Sequence, residues 1–218
     1  MDPCKSPVSN LIADVLLRVG AVKVSVAKPF KLTSGKLSPV YFDCRRLISH
    51  SAAMTLIAGS FQWILEQCGI TLDVVAGGES AGIPFADRLS ATLGKPLVYV
   101  RKETRTHGTG SGIEGDAPAG ARVLLVEDLI TDGRSKMIFI NGLRQANLVV
   151  EHCLVVLDRE QGGSALLAQE GVTLHSLTTA ANVLDYGVQS GYLAKADVAA
   201  VIAYLENPDA WQSNRPAE

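Results

Sequence analysis

Apolar residues in this chain follow two periods that alternate along its length. Leu11, Ile12, Val15, Leu16 and Val19 recur at helical spacing, with Ser9 as a candidate N-cap and Gly20 as a stop. Met54, Ile57, Ala58, Phe61, Ile64, Leu65 and Cys68 form a second stripe, closed by Gly69. Short continuous apolar runs predict strands at Asp73–Ala76, Leu97–Val100, Arg122–Val126 and Cys153–Leu157. A helix around Pro84–Leu93 separates the first two of these, and Pro84 is tolerated in its first turn. Helical spacing returns over Lys136–Ala146. It returns again over Ala194–Leu205, where Val198, Val201, Ile202 and Leu205 make an amphipathic face that packs on something. Strands separated by helices imply parallel crossovers. The pattern therefore predicts an α/β fold with a parallel central sheet flanked by helices, and ligands at the carboxyl ends of its strands. The polar, proline-containing stretch from Asn207 onward reads as a frayed tail.

Composition narrows the class. A chain of 218 residues fits one domain spanning 1–218, and a hydrophobic content of 47% supports a folded core. The net charge of −2 offers no electrostatic case for nucleic-acid binding. No apolar run is long enough to span a bilayer, and the start Met1-Asp2-Pro3-Cys4-Lys5 lacks a signal peptide's apolar region. Cys4, Cys44, Cys68 and Cys153 are scattered, as reduced core-filling thiols in a reducing, cytoplasmic setting would be. His50, His152 and His175 show no metal-ligand spacing and read as structural.

The chemistry concentrates at the end of one strand. The run Val123–Val126 leads into adjacent carboxylates, Glu127 and Asp128, then Leu129 and Ile130, then Thr131, Asp132, Gly133, Arg134 and Ser135. A loop joining a strand end to a helix N-terminus offers free N–H groups and a favourable dipole to a phosphate. Two carboxylates at its mouth suit sugar hydroxyls or a metal, so the segment outlines a sugar-phosphate site. A generic buried strand with a capped helix would also produce such a string.

This string resembles the phosphoribosyl-pyrophosphate (PRPP) signature of the type I phosphoribosyltransferases. The resemblance implies the fold of that family, with a small N-terminal hood at about 20–48. It also implies that Glu127 and Asp128 contact the ribose hydroxyls while Leu129–Ser135 wraps the 5-phosphate.

Three further segments fall at strand ends. The small residues of Gly77-Gly78-Glu79-Ser80-Ala81-Gly82 let backbone approach a ligand, although an ordinary tight turn would look similar. In the type I family this position is the pyrophosphate loop, which implies contacts from Gly78, Glu79, Ser80 and Ala81. Next, Arg101, Lys102, Arg105 and His107 lead into closely spaced glycines within a stretch, about 102–119, that has no core-forming pattern. Cations there could neutralise a leaving group, and glycines could let the segment close as a lid; a solvated hairpin is the bland alternative. The third segment, Phe30–Arg45, alternates around a Ser34-Gly35 turn and reads as a hairpin. Its Tyr41 and Phe42 could sandwich a flat heterocycle, or merely pack on the core.

The second and third segments resemble the mobile loop and base-binding hood of the orotate-specific members of the family. That resemblance implies pyrophosphate contacts from Arg101, Lys102, Arg105 and His107, with Asp128, Glu127, Arg105 and His107 catalytic. It implies a homodimer in which the lid reaches the neighbouring active site. It implies orotate contacts from Ser34, Gly35, Tyr41, Phe42, Thr131 and Arg159, the last suited to pair bidentately with a carboxylate. Thr33, Ala81 and Arg105 stand where such members commonly carry lysine. The implied reaction moves the 5-phosphoribosyl group from PRPP to orotate, with Mg²⁺ held mainly by substrate and water rather than by protein ligands. A phosphoribosyltransferase for another nucleobase, or a PRPP-sensing regulator without catalysis, would share the PRPP loop but not the hood, lid and Arg159 together.

Overall fold

Runs that are apolar on both faces become central strands, and one-faced stripes become the helices that cover them. The computed structural model describes residues 7–32, 35–102 and 112–213. Helix α1 (Pro7–Arg18) is followed by four short strands, β1 (Val22–Val24), β2 (Phe30–Lys31), β3 (Leu37–Ser38) and β4 (Val40–Phe42). A 3-10 turn at Cys44–Ser49 leads into α2 (Ser51–Gln67), β5 (Val74–Gly78), α3 (Gly82–Leu93), β6 (Leu97–Val100) and β7 (Ile113–Glu114). The signature segment is β8 (Arg122–Ile130) and α4 (Arg134–Gln145). Then come β9 (Val149–Asp158), α5 (Gly163–Gln169), β10 (Thr173–Thr179), α6 (Ala180–Gln189), α7 (Lys195–Glu206) and α8 (Pro208–Ser213).

Six strands form one sheet in the order β10-β9-β8-β5-β6-β7. All neighbours are parallel except β7, which runs antiparallel to β6. The expected α/β architecture is therefore present, with β8 near the middle and buried from Val123 to Asp128. Leu124 and Val126 face a core built with Ile12, Leu16, Phe61 and Phe85, while Val123 and Leu125 face a second core with Phe139, Ile140 and Leu143. The hood consists of two small ladders, β1 with β4 and β2 with β3, beside the carboxyl ends of the central strands.

Several local expectations change. The strands run further than their apolar cores: β5 continues through Gly77 and Gly78, β8 through Glu127 to Ile130, and β9 begins at Val149. Backbone pairing carries them on, since β8 matches Glu127 to Val155 and Ile130 to Asp158. Ser9 is no N-cap. It lies inside α1, which starts at Pro7, and its buried hydroxyl donates to Thr178 Oγ1 at 3.1 Å. The tail is not frayed over Pro208–Ser213, because α8 forms and Trp211 packs edge-on against Tyr204 of α7. Cys44 and Cys153 are buried as expected but Cys68 is exposed, and Cys4 lies outside the described residues. Among the described residues, no helix is long and apolar enough to cross a membrane.

Candidate active site

The end of β8 sends its two carboxylates to different places. Asp128 turns toward the hood, where it lines a cavity of about 310 Å³ with Phe42, Arg45, Ala81, Leu129, Thr131, Asp132, Ser135 and Lys136. Three sequence-distant segments thus meet there: the hood, the start of α3 and the signature loop. Burial raises the Asp128 pKa, opposed by Lys136 and by the Leu129 N–H donated to Oδ1 at 2.8 Å. Glu127 does not line this cavity. Its carboxylate lies on the α4 side and is ion-paired through Oε2 with the buried Lys136, while Oε1 is buried without a partner. Desolvation pushes the Glu127 pKa up to about 7, with Lys136 opposing.

The signature loop has the shape an anion cradle needs. Gly133 adopts φ +81° as the N-cap of α4, and a Cβ there would press on Gly163 and Leu167 at 3.1–3.2 Å. Glycine meets both demands at once. The first turn of α4 then turns its N–H groups toward the loop, with Ser135 and Lys136 at the cavity wall. Ile130 is buried in the core beneath, and Arg134 is exposed with its Nε 3.3 Å from Asp132. Thr131 is held from below, its carbonyl accepting from Gly163 N–H at 3.0 Å.

The glycine-rich loop after β5 divides its residues. Ala81 reaches the cavity, while Gly78 is buried under it and Ser80 is exposed. Any Cβ on Gly78 or Gly82 would fall on Glu127 Oε1, so these glycines make the space the carboxylate occupies. Glu79 turns away to accept from Lys102 N–H at 3.1 Å and to face Arg101 Nη1 at 3.5 Å. Arg101 is further engaged by Glu114 at 2.9 Å and by the Tyr99 hydroxyl at 3.2 Å, so its guanidinium is not presented to the cavity. Arg105, His107 and Ser34 lie outside the described residues.

In the hood, Gly35 sits exposed at the β2–β3 turn with φ +82°. Tyr41 and Phe42 do not form the expected sandwich. Neighbouring strand residues point to opposite faces: Phe42 faces the cavity, whereas Tyr41 packs on Phe30 at 5.8 Å and accepts from Arg45 at 3.1 Å. The Arg159 guanidinium lies over the Phe42 ring at 5.6 Å, and its Nη1 donates to Thr131 Oγ1 at 3.4 Å. Its Nε is buried without a partner. Burial lowers the Arg159 pKa, and the Tyr204 hydroxyl opposes that shift.

Sequence reasoning overlooked Arg45 and Lys136, both on the cavity wall. Lys136 carried a usable signal, since a residue in the first turn of a helix that caps an anion site can point back into it. Arg45 had none beyond its place after the hood strand.

Comparison with known proteins identifies the family. The phosphoribosyl transferase domain family matches residues 45–190. An orotate phosphoribosyltransferase of Sinorhizobium medicae is 41% identical over 216 residues, covering 96% of this chain and 92% of that one. Leishmania donovani UMP synthase superposes with a TM-score of 0.79 at 31% identity, over 91% of this chain and 42% of its own. Mycobacterium tuberculosis orotate phosphoribosyltransferase in complex with PRPP gives a TM-score of 0.66 at 26% identity, over 81% of this chain and 99% of its own. Fold, signature loop and domain match define a type I phosphoribosyltransferase. Within that class, the chain belongs to the orotate phosphoribosyltransferase family.

Proposed function

We infer that this enzyme transfers the 5-phosphoribosyl group of PRPP to orotate, giving orotidine 5′-phosphate and pyrophosphate. The observation that carries this reading is Arg159, a half-buried arginine whose Nε is buried without a partner, set over Phe42 and beside Thr131. An arginine in that state suits a planar ligand with a carboxylate, which orotate has and neutral bases lack. The relatives named for the same activity over nearly the whole chain support it.

The 5-phosphate sits on the Thr131–Ser135 cradle and the ribose hydroxyls on Asp128. As the bond from C1 to pyrophosphate loosens, positive charge grows on the ribose and negative charge on the leaving group. Asp128 stabilises the first, and Lys102 with the lid cations Arg105 and His107 stabilises the second. Arg101 joins them once it leaves Glu79 and Glu114. Glu127 acts from behind the pyrophosphate loop. The orotate nitrogen attacks C1 directly, so positioning carries the rate and no side-chain nucleophile is used.

Asp128 and Asp132 present hard oxygen donors to the cavity, which fits a magnesium ion brought in on substrate oxygens. When bound, that ion neutralises pyrophosphate charge. The functional unit is a homodimer whose lid, the part of 102–119 that precedes β7, reaches the neighbouring site, and its setting is the cytoplasm; Ile113 and Glu114 are held in the central sheet. Loss of orotate absorbance in the presence of PRPP and Mg²⁺ tests the reading. Turnover of another base with none of orotate overturns it.

A further inference from the structure

Arg45 follows the last hood strand by three residues and lines the cavity together with Phe42, Ala81, Asp128 and Lys136. Its guanidinium is already held on one edge. Nε donates to Asp43 Oδ1 at 2.6 Å, and Nη2 donates to the Tyr41 hydroxyl at 3.1 Å. Nη1 has no acceptor among the described residues, so the end of the fork formed by Nη1 and Nη2 stays open to a ligand. The Tyr41 ring turns away from Phe42, and its hydroxyl goes to this arginine instead.

The charges around the cavity give that open end a use. Its wall carries two carboxylates, Asp128 and Asp132, and two cations, Lys136 and Arg45. Lys136 is buried and committed to Glu127. Arg101 is engaged by Glu114 and Glu79 and does not line the cavity, and the glycine-rich loop brings only the methyl of Ala81 to it. The Arg45 side chain, 57% exposed, is the accessible cation of this wall. The cradle N–H groups already serve the 5-phosphate, Asp128 the ribose hydroxyls and Arg159 the carboxylate of the base. What is left is the pyrophosphate at C1, the most highly charged part of PRPP. A planar fork with a free end matches two phosphate oxygens. Held in advance by Asp43 and Tyr41, it loses little rotamer entropy on binding.

We propose that Arg45 binds the pyrophosphate group of PRPP, its guanidinium set by Tyr41 and Asp43. The proposal rests on the reading above that PRPP and orotate meet in this cavity. Arg45→Gln removes the charge and keeps an amide donor for Asp43, and the exposed position lets the variant fold. Inorganic pyrophosphate with Mg²⁺, competing with PRPP, inhibits this variant about tenfold more weakly than the wild type, the order expected for one hydrogen bond to a charged group. Ribose 5-phosphate, which has no pyrophosphate, inhibits both alike. The orotate KM keeps its wild-type value. A merely structural role in the hood would disturb Phe42 and raise that KM instead.

Unchanged inhibition by pyrophosphate, an equal loss for ribose 5-phosphate, or a raised orotate KM in place of weakened pyrophosphate binding each overturns the proposal. Failure of the underlying reading looks different. It shows in the wild type, which then turns over no orotate with PRPP, before any variant is measured.

Discussion

Lys136 and Glu127 form a buried ion pair between the first turn of α4 and the end of β8, each about 5% exposed. The second Glu127 oxygen, Oε1, is unpartnered and lies where a Cβ on Gly78 or Gly82 would fall. A single carboxylate thus sits between the helix that carries the phosphate cradle and the loop proposed to take pyrophosphate. Asp128, its neighbour in sequence, lines the cavity instead.

Removing the cation of this pair strands a buried charge. Lys136→Met lowers stability by about 3 kcal/mol near pH 8, the order measured when one partner of a buried pair is lost. The loss shrinks below neutral pH, where Glu127 takes up a proton. Lys136→Met/Glu127→Gln recovers most of it. Urea unfolding at two pH values measures both effects, and equal stability of wild type and single variant would refute the buried pair.

The two carboxylates differ in consequence. Asp128→Asn lowers kcat/KM about a hundredfold, the scale for removing one group aimed at developing charge. Glu127→Gln costs less in kcat/KM and more in the pH dependence of stability. Steady-state kinetics decide, and equal losses in folded variants would contradict the placement of Glu127 behind the loop.

Glycine substitutions separate close packing from open space. Gly82→Ala sets a methyl against Glu127 Oε1 and the Val126 carbonyl. It costs about 1–3 kcal/mol and reduces turnover. Gly59→Ala, exposed within α2 with nothing within 4 Å, raises stability by about 0.5–1 kcal/mol. Thermal unfolding of the pair checks the opposite signs.

Two buried groups give stability opposite slopes with pH. Desolvation, aided by the neighbouring His152, lowers His175 from 6.5 to about 4. The folded state therefore resists protonation, and its contribution is present above pH 6.5 and lost as pH falls toward 4. Glu127 is raised from 4.5 to about 7, so its contribution is full below pH 4.5 and lost as pH rises through 7. Between pH 4.5 and 6.5 the two slopes oppose each other and largely cancel in the wild type, so denaturant midpoints of the single variants separate them. His175→Gln leaves stability falling as pH rises from 4.5 to 7, and Glu127→Gln leaves it rising with pH up to 6.5; wild-type profiles in both variants would refute the assignments.

Much of the fold was legible because burial leaves a period in the sequence. Apolar runs marked the cores of β5, β6, β8 and β9, and stripes marked α1, α2, α3, α4 and α7. The signature Val123–Ser135 could be read because one contiguous segment supplies strand, carboxylates, cradle and cap. What stayed hidden was carried by polar segments. β10 reads Thr-Leu-His-Ser-Leu-Thr-Thr, and it becomes a strand through pairing with β9. α8 reads as polar tail, and Trp211 meets Tyr204 only once both helices are in place.

The sequence by itself determined the class of site: acidic pair, phosphate cradle, glycine loop and an arginine at a strand end are all short-range patterns. Tertiary structure decided how they are used. The direction of a side chain and the fate of a charge depend on distant partners, so only the folded chain sends Glu127 to Lys136 and Asp128 to the cavity. It also turns Tyr41 away from Phe42 and sets the Arg159 guanidinium over the Phe42 ring.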